Sequence, residues 1–238
     1  MKLALIGYGA MGRLVGARAR DEGYGVTLTI TSRDATRGTE ELTELLRGHD
    51  AAIDFSVSEA VVTHIEAAAR AQIPIVEGTT GWSAHLAEAR RIVEREGGAL
   101  IYGANFSIGV QIFYRIAAYA ADLFKNLNAY APFIEEAHHA RKRDAPSGTA
   151  LRLRDILSEN LLTRDIPVAS TRAGYIPGTH RVGFDSPADQ ITLTHTARTR
   201  EGFAAGALLA ARWIQGRHGI YEFSEVIDEV LKTTTGDK

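Results

Sequence analysis

The chain has 238 residues, of which 45% are hydrophobic and 24% charged, and its formal net charge is −2. That length buries a real core as one large domain or two modest ones, and the balanced charge argues against a nucleic-acid partner. With no cysteine there is no disulfide frame and no thiolate zinc site, and no apolar run approaches the roughly 18 residues of a membrane span.

Leu3 to Ile6 is a short apolar run that fits a buried parallel strand. The N-terminus then enters a glycine turn without the long apolar region of a signal peptide, so a cytoplasmic protein is expected. The turn reads Gly7-Tyr8-Gly9-Ala10-Met11-Gly12, followed by helical spacing to about Glu22. G-x-G-x-x-G between a strand and a helix is a dinucleotide-binding pattern. The first glycine makes the tight turn, the second admits a pyrophosphate, and the third lets helix and strand pack closely.

Val26 to Thr31 is the second strand, and Ser32, Arg33 and Asp34 stand at its end, where the ribose is read. Ser32 with Arg33 offers a hydroxyl and a guanidinium to a 2′-phosphate, as in NADP, whereas Asp34 keeps NAD possible. Ala51–Phe55 (strand), 59–71 (helix), Ile73–Val76 (strand), 84–96 (helix) and Ala99–Tyr102 (strand) continue the alternation. Such alternation means a doubly wound parallel sheet of the Rossmann-like α/β class, with ligands beyond the carboxyl ends of its strands. At those ends lie Phe55-Ser56, Gly78-Thr79-Thr80-Gly81 and Gly103-Ala104-Asn105-Phe106-Ser107, with Asn105 a candidate partner for the nicotinamide carboxamide.

A long amphipathic helix is predicted over 108–124, a strand over 130–137 and a helix from Thr149 to about 162. Strands are then expected at 167–171, 181–184 and 191–197, with 172–180 as a mobile loop. Strands not interleaved with helices imply a second, smaller α+β domain. Helices at 203–215 and 226–231 are expected to pack back on the first domain. The expected domains are therefore 1–106 with 205–238, and 107–204.

The densest chemistry lies in Glu135–Ala150, EEAHHARKRDAPSGTA. Ser147 is a natural N-cap, and the N–H groups of Gly148, Thr149 and Ala150 would face an anion. The pair His138-His139 reads either as acid–base and binding groups or as structural hydrogen-bonders. A metal site joined by His180 and His195 is the third reading, but no carboxylate–histidine spacing singles one out, so no metal is expected. Arg141 and Arg143 are solvated, or form a basic rim for an anion.

The stretch Glu136-Ala137-His138-His139-Ala140-Arg141-Lys142-Arg143-Asp144-Ala145-Pro146-Ser147-Gly148-Thr149-Ala150 closely resembles the dihydrodipicolinate reductase pattern E-x-H-H-x-x-K-x-D-x-P-S-G-T-A. With the glycine turn, Gly78-Thr79-Thr80-Gly81 and Ala104-Asn105-Phe106-Ser107, the resemblance spans nearly the whole chain. It implies a nicotinamide-dependent enzyme of bacterial lysine and diaminopimelate synthesis acting on a small dicarboxylate, and a homotetramer joined through the substrate-domain sheet. By position it makes His138 the proton donor/acceptor, Lys142 the catalytic proton donor, and His139, Gly148 and Thr149 substrate-binding, with Ser147 beside them. The cofactor would lie on Gly7–Gly12, Gly78–Thr80 and Gly103–Phe106. Many members have a longer first glycine loop and a Glu after the second strand, so Ser32 and Arg33 lean towards NADPH, with NADH possible. Two rivals share the plan: an aspartate-type amino-acid dehydrogenase, and a non-catalytic dinucleotide sensor.

Overall fold

Runs such as Leu3-Ala4-Leu5-Ile6 and Ala51-Ala52-Ile53 have no polar face, so they need cover on both sides, which a parallel sheet between helices supplies. The computed structural model, which describes residues 1–34, 37–161 and 165–233, builds that arrangement in the first of two units, Met1–Ile108 with Arg200–Lys238. Its strands are β1 (Lys2–Ile6), β2 (Gly25–Ile30), β3 (Ala51–Asp54), β4 (Ile75–Glu77), β5 (Ala99–Tyr102) and β10 (Gly219–Glu222). They form one sheet in the order β10-β5-β4-β3-β1-β2, parallel throughout. Around it lie α1 (Ala10–Asp21), α2 (Thr39–Leu46), α3 (Val61–Arg70), α4 (Leu86–Glu96), α7 (Glu201–Trp213) and α8 (Phe223–Thr233).

Register aligns the carboxyl ends of the strands. Ile6 pairs with Asp54, Asp54 with Glu77, Glu77 with Tyr102 and Tyr102 with Glu222. The row continues as interstrand hydrogen bonds into the turns: Phe55 N–H to Ile6 O, 2.9 Å, and Gly78 N–H to Asp54 O, 2.9 Å. The turns that carry the binding chemistry are thus fixed to a common rim.

The second unit, Gly109–Thr199, holds most of α5 (Ile108–Phe124), then β6 (Ala131–His138), α6 (Gly148–Leu161), β7 (Val168–Arg172), β8 (Thr179–Asp185) and β9 (Gln190–Thr196). Its sheet runs β7-β6-β8-β9, with β6 and β7 parallel and the other pairs antiparallel. The parallel pair needs a crossover, and α6 provides it. Leu153, Ile156 and Leu157 of α6 pack with Ile134, Val182 and Phe184 of the sheet. Among the described residues, no helix is long and apolar enough to cross a membrane.

Three differences from the sequence reading have physical causes. Two elements are added, α2 and β10. The segment read as a loop over 172–180 is shorter, because Arg172 closes β7 and Thr179 and His180 open β8, each held by pairing to β6. And β4 sits at Ile75–Glu77 rather than 73–76, because Glu77 pairs with Asp54 and Tyr102 on either side.

Candidate active site

In the first unit the glycine turn is set by its own backbone. Gly7 has φ +83°, and a Cβ there would stand 2.4 Å from the Phe55 carbonyl oxygen; one at Gly12 would stand 2.0 Å from Gly7 O. Neither position accepts a side chain. At Gly9 nothing lies within 4 Å of such an atom, and Gly9 begins α1 without any side-chain cap. An uncapped helix N-terminus under open space is a cradle for phosphate. Tyr8 sits behind it, its ring near Gly12 and Gly16.

A cavity of about 440 Å³ opens above this turn. Gly9, Ala10, Met11, Gly78, Thr79 and Thr80 line it, and so do Phe55–Glu59 and Arg200. Six of the predicted cofactor residues therefore share one wall. The motif gives no hint of Arg200, which reaches the cavity from the chain's return segment. Ser32 and Arg33 lie apart from it, exposed on a 3-10 turn after β2. Asp34 is turned inward: its carboxylate accepts from the Thr31 N–H at 2.9 Å and from Arg37 Nε at 2.9 Å, bonds that hold its pKa below the usual value. Gly103, Ala104, Asn105 and Phe106 do not line the cavity either. Asn105 Oδ1 accepts the Ser107 N–H at 2.8 Å, in a turn just ahead of α5. The Phe106 ring is buried 4.5 Å from that of Phe223 and 6.2 Å from that of Phe55, which leaves only its backbone for a ligand.

In the second unit β6 sets the geometry. Residues two apart on a strand share a face, so Glu136 and His138 point the same way, and Glu136 Oε2 meets His138 Nδ1. The other Glu136 oxygen accepts from Arg172 Nη2 at 2.7 Å, brought alongside by β7. Arg172 also donates to Asp144 O at 2.6 Å. Burial would raise the Glu136 pKa, but hydrogen bonds from Arg172 and Ser170, with the charges of His138 and Arg172, hold it at about 2. An ionised carboxylate only accepts, so the His138 proton sits on Nδ1 and Nε2 carries the lone pair. Burial lowers the His138 pKa even against the pull of Glu136.

Lys142 lies on the turn after β6, its N–H bonded to His139 O at 3.0 Å. Its ammonium pairs with Asp144 at 2.8 Å, close enough to His138 to depress that imidazole's pKa. Ser147 Oγ accepts the Ala150 N–H at 3.3 Å and lies 3.1 Å from His180 Nε2, so it caps α6 as its sequence position predicts. Gly148 is exposed with nothing near a would-be Cβ, and Thr149 bonds Tyr114. His139 Nδ1, although buried, has no hydrogen-bond partner among the described residues.

Glu136, His138 and His180 bring ligand atoms within 4.8 Å of one another, a trio the sequence spacing did not single out. Both Glu136 oxygens already accept hydrogen bonds, from Arg172 and His138, so the trio forms an acid–base network rather than a vacant set of cation ligands. Burial, then repulsion from His138, lowers His180 to about 4 and keeps it neutral. His195, the other imidazole weighed for a metal, instead packs on the Phe113 ring at 5.8 Å.

A family model for the N-terminus of dihydrodipicolinate reductase matches residues 1–106, and one for its C-terminus matches 109–227. The chain belongs to the dihydrodipicolinate reductase family. Among relatives, the 4-hydroxy-tetrahydrodipicolinate reductase of Christiangramia forsetii is 36% identical over 243 residues, covering 98% of this chain and 100% of the relative. That of Natronomonas pharaonis is 35% identical, covering 95% and 100%. A dipicolinate-bound dihydrodipicolinate reductase from Paenisporosarcina sp. TG-14 shares the fold, with a TM-score of 0.76 at 19% identity over 93% of this chain and 97% of that one. To the dihydrodipicolinate reductase motif the structure adds Arg172, which no spacing within the motif marks, and gives Glu136 a partner. The strand predicted over 130–137 stops one residue short of His138; its extension to His138 puts Glu136 and His138 two apart on one face.

Proposed function

We propose that the chain catalyses NAD(P)H-dependent reduction of 4-hydroxy-tetrahydrodipicolinate to tetrahydrodipicolinate, with the 4-hydroxyl leaving as water, in lysine and diaminopimelate synthesis. Family membership over nearly the whole chain carries this reading, and the two sites supply its chemistry. The open cradle at Gly9, with Ala10, Met11 and Gly78–Thr80, suits the cofactor's pyrophosphate. When bound, the cofactor supplies a hydride.

The chain's own residues hold the substrate and move protons. The N-terminus of α6 at Ser147-Gly148-Thr149 receives one carboxylate of the substrate, and His139 offers a second contact. Lys142 delivers the proton that accompanies hydride transfer, and neutral His138 accepts and returns one through Nε2. NADPH oxidation by the purified protein with freshly made 4-hydroxy-tetrahydrodipicolinate tests the reading. Turnover only with oxaloacetate and ammonia would overturn it in favour of an amino-acid dehydrogenase.

NADPH is the preferred cofactor in this reading. Asp34 is committed to Thr31 and Arg37, which leaves exposed Ser32 and Arg33 to meet a 2′-phosphate. Arg33→Ala should therefore raise the NADPH dissociation constant by about 10–100-fold, the worth of a charged hydrogen bond, with the NADH constant unchanged. Equal effects on both cofactors would remove Arg33 from the selection. A cytoplasmic homotetramer, joined through the sheet of the second unit, completes the proposal. The exposed Ile191 on edge strand β9 supports such an association, and a one-chain molar mass by light scattering would refute it.

A further inference from the structure

Two carboxylates stand side by side in the middle of the first unit's sheet. Asp54 and Glu77 end β3 and β4, are register partners, and are both completely buried. Buried ionised carboxylates in contact repel strongly, and two sharing a site hold one proton between them. The hydrogen bonds say where that proton is. Asp54 Oδ1 accepts the Ser56 N–H at 2.8 Å, and Oδ2 meets His64 Nδ1 at 2.6 Å. With His64 taken as the Nδ1–H tautomer, both Asp54 oxygens accept and Asp54 is the ionised member. Glu77 Oε1 accepts the Thr79 N–H at 2.7 Å, and Oε2 meets no other donor among the described residues. A proton on Oε2, given to Asp54, satisfies every polar atom of the pair.

What these bonds hold is the cavity wall. Ser56 and Thr79 both line it, and they are tied to each other, Ser56 N–H to Thr79 Oγ1 at 3.0 Å. We propose that Glu77 is a positioning residue of the dinucleotide pocket: a buried neutral carboxylic acid whose single proton bridges to Asp54 and fixes the Ser56 and Thr79 turns against the cofactor. This role lies outside the catalytic assignments at His138 and Lys142 and rests only on the dinucleotide-binding part of the proposed function.

Desolvation, and then the charge of Asp54, raise the Glu77 pKa well above the ordinary value. Ionisation as the pH rises would place two charges side by side and loosen both turns. The other ionisable groups around it are His64 on α3, Tyr102 beside Glu77 in register on β5, and Glu59 and Arg200 at the cavity lining.

Two measurements test this. Infrared difference spectroscopy at neutral pH should show the carbonyl stretch of a protonated carboxylic acid in the wild-type protein that is absent from Glu77→Gln. NADPH titrations from neutral to alkaline pH should show wild-type affinity falling as Glu77 ionises, and a flat profile for Glu77→Gln, whose amide can donate to Asp54 and accept from Thr79. At neutral pH, Glu77→Gln should bind NADPH as the wild type does, and Glu77→Val about 5–150-fold more weakly, since it strands the Thr79 N–H and Asp54. No neutral-acid band, or the same alkaline profile in both proteins, overturns the proposal while leaving the function intact. Failure of the wild type to bind any nicotinamide dinucleotide overturns both.

Discussion

Replacing Lys142 with alanine is expected to cut kcat by about 10²–10⁴-fold, the usual contribution of a positioned proton donor, without changing the NADPH dissociation constant. The side chain is three-quarters buried, its ammonium paired with Asp144 and near His138, where it can serve either as a charge or as an acid. Lys142→Arg separates the two. A guanidinium keeps the charge but does not give up a proton near neutral pH, so substrate KM should recover while kcat stays low. Full turnover in Lys142→Ala would exclude proton delivery by this residue.

Glu136→Gln should lower kcat comparably and move the pH profile. Glutamine can accept from Arg172 with its oxygen, but its amide then donates to His138 Nδ1, which forces the proton onto Nε2 and turns the ring into the wrong tautomer. The analogous Asp→Asn change in a serine protease triad costs about 10⁴ in kcat. The sign of the pH effect follows from charge. The Glu136 carboxylate raises the His138 pKa, against the dominant lowering by burial. Removing that charge lets the pKa fall further, so the acid limb of kcat/KM should shift to lower pH. Glu136→Ala is the harsher change. It leaves the guanidinium of Arg172, whose side chain is 17% exposed, without its counter-charge, and loss of one partner from a buried pair costs about 3–5 kcal/mol. A wild-type acid limb and kcat in Glu136→Gln would show that Glu136 only supports the fold.

The parts legible in the sequence were those that carry their own period. Strands β1, β3 and β5 are short runs buried on both faces, and the alternation with helices fixes a parallel sheet before any contact is known. The helix α2, TEELTELL, was not legible because only Leu42 and Leu46 mark its buried face beside Thr43, in a segment otherwise acidic. Strand β10, GIYE, is four residues long and half-buried, and it becomes a strand only through its pairing with β5. The motif around His138 announced its chemistry, but the Arg172 contact depends on β7 lying parallel to β6, and the meeting of Asp54 with Glu77 on strand register. Neither relation exists in one dimension.

The strand β10, together with α7 and α8, has a consequence for how the chain is made. Arg212 of α7 bonds Glu22 and Tyr24 beyond the end of α1, and β10 extends the sheet on β5, so segments from before and after the second unit complete one core. Chains leave the ribosome amino end first, and domains fold as units. The uninterrupted segment Gly109–Thr199 is therefore finished during synthesis while the first unit still lacks an edge strand and two covering helices. The nascent first unit has β5 as a bare sheet edge until Gly219–Glu222 emerges, which makes it the species that aggregation and chaperones meet.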